Sequence, residues 1–379
     1  MAEDEPLRLL VLCAGDPESQ RTFSGSARSL IAALEGLGCV HHTDNVLGPV
    51  APFAQGPAAV RFLRKIDRFG FEERYYWSRA YFARNSRRAQ AIAQAHPGFN
   101  ACLMYGTTFR PQLDVPTYCY FDATAAQVYR AKAWEFGRMP PAQAQRVIAY
   151  QREVFADCAA VLPRTQWAAR SVIEDYGLPE RCVLAVGAGT NYAAQPLPHA
   201  PYDRQTILFV GTEFERKGGP LLLDAFARVR RTLPEARLVI IGCSPEVDAP
   251  GVEVVGRVDK AASGGLERLL GYYAEASLFC IMSAFEPFGI VVIEAQDSYV
   301  PCVVPARFAF SETVVDGVTG RHVPEYDAPT LAEVLAGLLA DPSRLEAMGR
   351  AAHAHVRAHW TWEDAARRIR GRIVQDLRA

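Results

Sequence analysis

Glu286-Pro-Phe-Gly-Ile-Val-Val-Ile-Glu294 sets two carboxylates around a proline, a glycine and an apolar run. Glu294 lies in Ile-Val-Val-Ile-Glu-Ala, an almost wholly apolar setting. A buried carboxylate without a partner is costly or shifts to its neutral form. A hydroxyl donor that arrives with a ligand, such as a ribose, would satisfy it. Glu286 follows the apolar run Leu278–Met282 on a strand-to-helix loop, where open parallel sheets bind ligands. Pro287 suits a first helical position, and Gly289 permits close approach of a ligand to the backbone. The helix that follows then offers unpaired amides and a positive dipole end to a diphosphate. Ile-Val-Val-Ile by itself has strand propensity, so the helix is read from context. The same residues also fit a buried glutamate paired with a core arginine, and a chance glutamate in a turn.

Outward from this stretch, strand and helix patterns alternate over the whole chain. Apolar runs at Leu7–Ala14, Asn100–Tyr105, Thr117–Phe121, Cys158–Pro163 and Arg181–Val186 read as strands in the first half. Thr206–Val210, Arg237–Ile241, Val252–Val255, Leu278–Met282 and Cys302–Val304 read as strands in the second. Helical spacing separates them, and Ala328–Leu377 is helical and rich in Ala and Arg. Asn191–Pro201 has three prolines and no periodicity, which suits an interdomain linker. The reading is α/β, with two doubly wound Rossmann-like domains facing a cleft. The first spans 1–192 and the second 203–362.

Val210-Gly-Thr-Glu-Phe-Glu-Arg-Lys-Gly-Gly219 is the second candidate element. It leaves a strand, enters a helix and frames adjacent Arg216 and Lys217 with glycines. Two cations there suit a leaving diphosphate and do electrostatically what a metal does elsewhere. Alone, the stretch fits a solvated turn better. Thr22-Phe-Ser-Gly-Ser26 could bring backbone amides to phosphates, or simply cap a helix.

Taken together, these elements resemble the retaining glycosyltransferases of family 4, which have the GT-B fold. The resemblance rests on Gly211…Arg216-Lys217-Gly218, Leu238–Gly242, Gly256-Arg257-Val258 and Glu286-Pro-Phe-Gly-Ile…Glu294. Asp316-Gly317-Val-Thr-Gly320 and Trp362-Glu363 add to it. It covers the whole chain and is stronger in the second half. The resemblance implies that Glu294 binds ribose hydroxyls. Glu286 would hold hydroxyls of the donor sugar, with the backbone at Phe288 and Gly289. The amides of Ile290 and Val291 would reach ribose and phosphate. Lys217 with Arg216 would neutralise the departing diphosphate, Arg257 and Val258 would border the base, and Gly25 would close over the phosphates. The last helix, 363–379, would cross back onto the first domain. Thr212 stands where the family often has arginine, leaving one phosphate contact in doubt. Asp122 stands where it often has histidine. Asp122 either touches the donor sugar or the acceptor hydroxyl, or caps the helix after it. Asp297-Ser-Tyr299 replaces the family's small residues.

The implied activity is metal-independent, retaining transfer from a nucleotide sugar by front-face substitution. A UDP-sugar is favoured, with a GDP-sugar as second choice. The nucleotide sugar is a co-substrate, and neither a cofactor nor a metal site is expected. The acceptor would be a sugar, a lipid-linked or a small-molecule hydroxyl. The alternatives are a nucleotide-sugar binding protein without transfer activity and a GT-B epimerase. A formal net charge of −1 gives no global pull towards nucleic acid, and no nucleic-acid module is recognisable. The nine cysteines are scattered singly, as small core residues of a reducing compartment. Met1-Ala-Glu-Asp-Glu-Pro6 lacks a signal-peptide stretch, so a cytoplasmic location is expected. Val60–Gln90 carries nine Lys/Arg against three Asp/Glu, with aromatic residues interleaved. That fits peripheral contact with an anionic membrane or a lipid-diphosphate acceptor, a soluble acceptor in the cleft, or a solvated amphipathic helix pair.

Overall fold

The computed structural model describes residues 6–20, 22–47, 77–192 and 195–378. The chain divides into two units, Met1–Ala188 with Trp362–Ala379, and Gly189–Thr361. The segment 191–201 therefore belongs to the second unit. Tyr192 and Leu197 pack on that unit's core, and the Ala200 amide donates to the Ala274 carbonyl.

The first unit runs β1 (Leu9–Cys13), α1 (Ser26–Gly36), β2 (Val40–Asn45), α2 (Arg79–Ala95), β3 (Ala101–Tyr105), β4 (Thr117–Phe121), α3 (Ala125–Arg130), α4 (Pro141–Ala156), β5 (Ala160–Pro163) and α5 (Gln166–Glu174). Its sheet has the order β2-β1-β3-β4-β5, all parallel. β1, β3, β4 and β5 are buried at every position, as expected where helices cover both faces. β2, Val-His-His-Thr-Asp-Asn, is a half-exposed edge strand. Its polar sequence hides it from any search for apolar runs. Arg181–Val186 forms no regular strand: a short 3-10 turn, Glu180–Cys182, takes its start. Beyond that turn it still runs beside β5, donating the Leu184 and Val186 amides to the Val161 and Pro163 carbonyls.

The second unit runs β6 (Thr206–Val210), α6 (Gly219–Thr232), β7 (Arg237–Ile241), β8 (Val252–Gly256), α7 (Gly265–Glu275), β9 (Leu278–Cys280), α8 (Ile290–Asp297), β10 (Cys302–Pro305), β11 (Gly320–Val323), α9 (Ala328–Leu339) and α10 (Pro342–His359). Its parallel sheet has the order β11-β10-β9-β6-β7-β8. β6 pairs with β7 on one side and with β9 on the other. The strand order thus reverses between β6 and β9. The last helix, α11 (Trp362–Arg378), belongs to the first unit and packs against α1. Its buried face, Ala365, Ala366, Ile369 and Ile373, recurs at helical spacing.

Of the stretch 60–90, residues 60–76 lie outside the described residues. In the rest, Tyr81 and Phe82 are buried, and Phe82 stacks on Tyr150 at 4.2 Å. These rings serve the first unit's core and are not presented to a lipid surface. Among the described residues, no helix is long and apolar enough to cross a membrane.

Candidate active site

In open parallel sheets, ligands bind beyond the carboxyl ends of the strands where their order reverses. In the second unit, those ends release the two loops that carry the quoted motifs. β6 leads into residues 211–218 and β9 into residues 281–289. The loops are tied together by their backbones. The Met282 amide donates to the Lys217 carbonyl at 3.1 Å, and the Ala284 amide to the Arg216 carbonyl at 2.8 Å. Gly218 makes this approach possible: it has φ +79°, and a Cβ there would overlap the Met282 carbonyl.

Across this junction the Lys217 ammonium donates to the Glu286 carboxylate, and both side chains are largely buried. The Ser283 hydroxyl donates to the same oxygen at 3.3 Å. Arg216 is fixed beside them, donating to the Phe285 carbonyl at 2.8 Å and to Glu213. The Arg216 guanidinium, by hydrogen bond, holds the Glu213 carboxyl below its usual range. Thr212 is exposed on this loop, whereas Arg216 is half-buried.

The helix after Glu286 begins later than the sequence suggests. Ile290 is its first residue, and Gly289 caps it in the left-handed region at φ +84°. Pro287 and Phe288 form the turn before it, so Pro287 is not a first helical residue. Phe288 is buried edge-on against Trp360, at 5.3 Å. Despite its β-branched run, Ile290–Asp297 is a helix, because Val292–Asp297 are buried in this unit and tertiary packing overrides propensity. The first amides of α8, those of Ile290 and Val291, have no intrahelical acceptor. Asp297 closes the other end of the helix. It is buried, and its Oδ2 accepts from the Arg357 guanidinium of α10 at 3.0 Å. Burial raises its carboxyl, while Arg357 and His353 pull it back.

Glu294 is fully buried, yet it is not without a partner. The Lys260 ammonium donates to both of its carboxylate oxygens, at 2.7 and 2.8 Å. The cation is thus a lysine rather than the core arginine that fits the sequence. Lys260 also lies 5.8 Å from the centre of the Tyr192 ring, whose hydroxyl donates to the Glu294 carbonyl at 3.0 Å. Burial, reinforced by the Glu294 charge, pushes the Tyr192 and Tyr273 hydroxyls well above their usual range. Lys260 escaped the sequence reading. Its signal was the need of a buried carboxylate for a cation, together with its place just after Gly256-Arg257-Val258. In that motif Arg257 is exposed and Val258 packs on the core. Lys260→Ala is expected to destabilise the second unit by roughly 3 kcal/mol, the cost of stripping a buried charge of its partner. Urea unfolding measures it. A change below about 0.5 kcal/mol would show that this pair does not keep Glu294 buried.

Gly25 and Asp122 lie in the first unit, at the carboxyl side of its sheet. Gly25 has φ +86° and caps α1 without a side-chain bond. Asp122 follows β4 but does not cap α3. Thr124 does so, in a capping box with Gln127. Freed from that role, Asp122 is partly exposed and sits 4.0 Å from the buried Arg164 guanidinium. Arg164 in turn donates to the Tyr105 hydroxyl and lies over the Tyr120 ring at 5.5 Å.

Residues 197–355, which include Arg216, Lys217, Lys260, Glu286 and Glu294, match the family of glycosyl transferases group 1. A D-inositol 3-phosphate glycosyltransferase of Segniliparus rotundus is 34% identical over 171 residues, 43% of this chain and 38% of that protein. One from Kribbella flavida is 29% identical over 74% of this chain and 72% of its own length. The chain thus spans well under two thirds of the first of these relatives. Among solved structures, sucrose-phosphate synthase from Thermosynechococcus elongatus superposes with a TM-score of 0.73 at 18% identity, covering 98% of this chain and 99% of its own. Anabaena HepE in complex with UDP and glucose superposes with a TM-score of 0.64 at 12% identity, covering 97% of this chain and 100% of its own. The fold is that of GT-B glycosyltransferases, and residues 197–355 are similar to the group 1 glycosyl transferases.

Proposed function

We propose that the protein is a retaining glycosyltransferase that moves a sugar from a nucleoside diphosphate to an acceptor hydroxyl. One observation carries the reading. Lys217 pairs with a buried Glu286 where the strand order reverses, and Lys260 pairs with the fully buried Glu294 of the helix that follows, in a stretch similar to the group 1 glycosyl transferases. Glu294 accepts the ribose hydroxyls, taking over hydrogen-bond capacity that Lys260 fills in the free protein. Glu286 accepts from hydroxyls of the donor sugar, beside the backbone of Phe288 and Gly289. The diphosphate draws Lys217 away from Glu286 and meets Arg216 and the first amides of α8. Arg257 and Val258 border the base.

The bond between the anomeric carbon and the leaving phosphate oxygen breaks towards an oxocarbenium-like state. The acceptor oxygen attacks from the same face, and its proton passes to the departing phosphate. Lys217 and Arg216 stabilise the charge that grows on the diphosphate. A uridine donor is the first to test and a guanosine donor the second. A mannosyltransferase of Mycolicibacterium smegmatis named as GDP-mannose-dependent is 30% identical over 44% of this chain. The acceptor hydroxyl belongs to a sugar, a lipid-linked or a small molecule.

The test is nucleoside diphosphate release from a panel of donors, with the anomeric configuration of the product read by NMR. An α-linked product from an α-linked donor is expected. An inverted product, or an isomerised nucleotide sugar without acceptor, would overturn the reading. Because two cations carry the leaving-group charge, EDTA is expected to leave kcat unchanged in folded enzyme. An absolute magnesium requirement would contradict this.

A further inference from the structure

The geometry points to a zinc site on the edge of the first unit's sheet, formed by His42, Asp44 and His96. His42 and Asp44 are alternate residues of edge strand β2, paired with Leu10 and Leu12 of β1. They therefore share one face of the strand. His96 closes α2, its amide donating to the Ile92 carbonyl. The ligating atoms of the three side chains all lie within 4.8 Å of one another. The two imidazoles stack at 3.5 Å with 14° between their planes.

The details fit a ligand set better than a closed hydrogen-bond network. His42 Nε2 is buried from solvent and has no hydrogen-bond partner. Asp44 Oδ2 is 3.8 Å away, beyond hydrogen-bond reach. The other Asp44 oxygen, Oδ1, is engaged by the Asn45 amide at 2.6 Å, which fixes the carboxylate and leaves Oδ2 directed at the histidines. Neighbouring His41 is tied to the Pro97 carbonyl at 3.1 Å and stays outside the set. Ion binding would open this stack, turning the two ring edges and Asp44 Oδ2 towards one ion at ordinary zinc–ligand lengths of about 2.0–2.2 Å. Two imidazoles and a carboxylate select a first-row divalent ion such as zinc over magnesium or calcium. The ion would join edge strand β2 to the end of α2, and its fourth position would stay open to water.

The experiment uses the full-length, untagged protein, stripped with EDTA and then freed of it, titrated calorimetrically with zinc chloride. One equivalent is expected to bind and to raise Tm. His42→Ala and His96→Ala are each expected to weaken binding beyond the roughly 10–100-fold that loss of an outer-shell partner costs. Absent uptake by the wild-type protein would overturn the proposal, and so would variants that bind zinc as tightly as the wild type, which would assign the bound zinc to other side chains. If a variant fails to fold, nickel added to the wild-type protein decides. Selective broadening of the His42 and His96 imidazole resonances supports the site. Broadening of His322 or His355 instead rejects it. Because this readout needs neither donor nor acceptor, it stands or falls separately from the transferase reading.

Discussion

Lys217→Ala lowers kcat for sugar transfer by about 10²–10³-fold, the cost of removing one preorganised donor at a site of developing charge. Lys217 is largely buried, and its loop is pinned by two backbone bonds to the 281–289 loop. In the proposed reaction its ammonium then needs only to turn from Glu286 to meet the charge that grows on the leaving diphosphate. In the free protein its partner is Glu286, so the substitution also strips that carboxylate of its cation and leaves the Ser283 hydroxyl beside it. Lys217→Arg separates the two effects. It keeps the charge and is expected to restore much of kcat. Steady-state kinetics on folded variants, checked by circular dichroism, measure both. An alanine variant within threefold of wild type would remove Lys217 from the site, since about 0.7 kcal/mol is too small for a buried cation on a diphosphate.

Glu294→Ala is expected to weaken nucleoside diphosphate binding by about 10²-fold, from two hydrogen bonds to a charged group worth about 1.5–3 kcal/mol each. The substitution also leaves Lys260 without its carboxylate, so a change in affinity alone could reflect altered packing. The discriminating readout is the sugar of the nucleotide. The wild-type protein should prefer a ribonucleotide to its 2′,3′-dideoxy analogue by a comparable factor. Glu294→Ala should bind the two alike. A variant that keeps the preference would show that Glu294 does not read the ribose.

How much of this was legible in the sequence depends on where each residue sits. The buried strands Leu208–Val210 and Leu238–Ile241 announce themselves as apolar runs because helices cover both faces of their sheet. The edge strands β2 and β11 do not: His41, His42 and Asp44 in one and Arg321 and His322 in the other break the run. The two loops that each follow a strand and carry Lys217 and Glu286 were legible, but the pairing of these two side chains was not. That the strands are neighbours across the point where their order reverses is a fact of topology, which spacing along the chain does not encode. Lys260 was missed for the same reason. It lies 34 residues before Glu294, and nothing local marks it as a partner. Pro287 misled because proline suits a first helical position in general. Here the left-handed cap at Gly289 comes after it and starts the helix at Ile290. Asp122 could have been a cap or a ligand-facing carboxylate. The capping box at Thr124 removes the first role.

The most direct test of the account is a calorimetric titration of UDP and of GDP into the wild-type protein and into a Lys217→Ala/Glu294→Ala double variant. The account predicts saturable binding of at least one nucleotide at one site in the wild-type protein, and none in the variant over the same range. Equal binding by both proteins, or no binding of either nucleotide to the wild type at millimolar concentration, would contradict it.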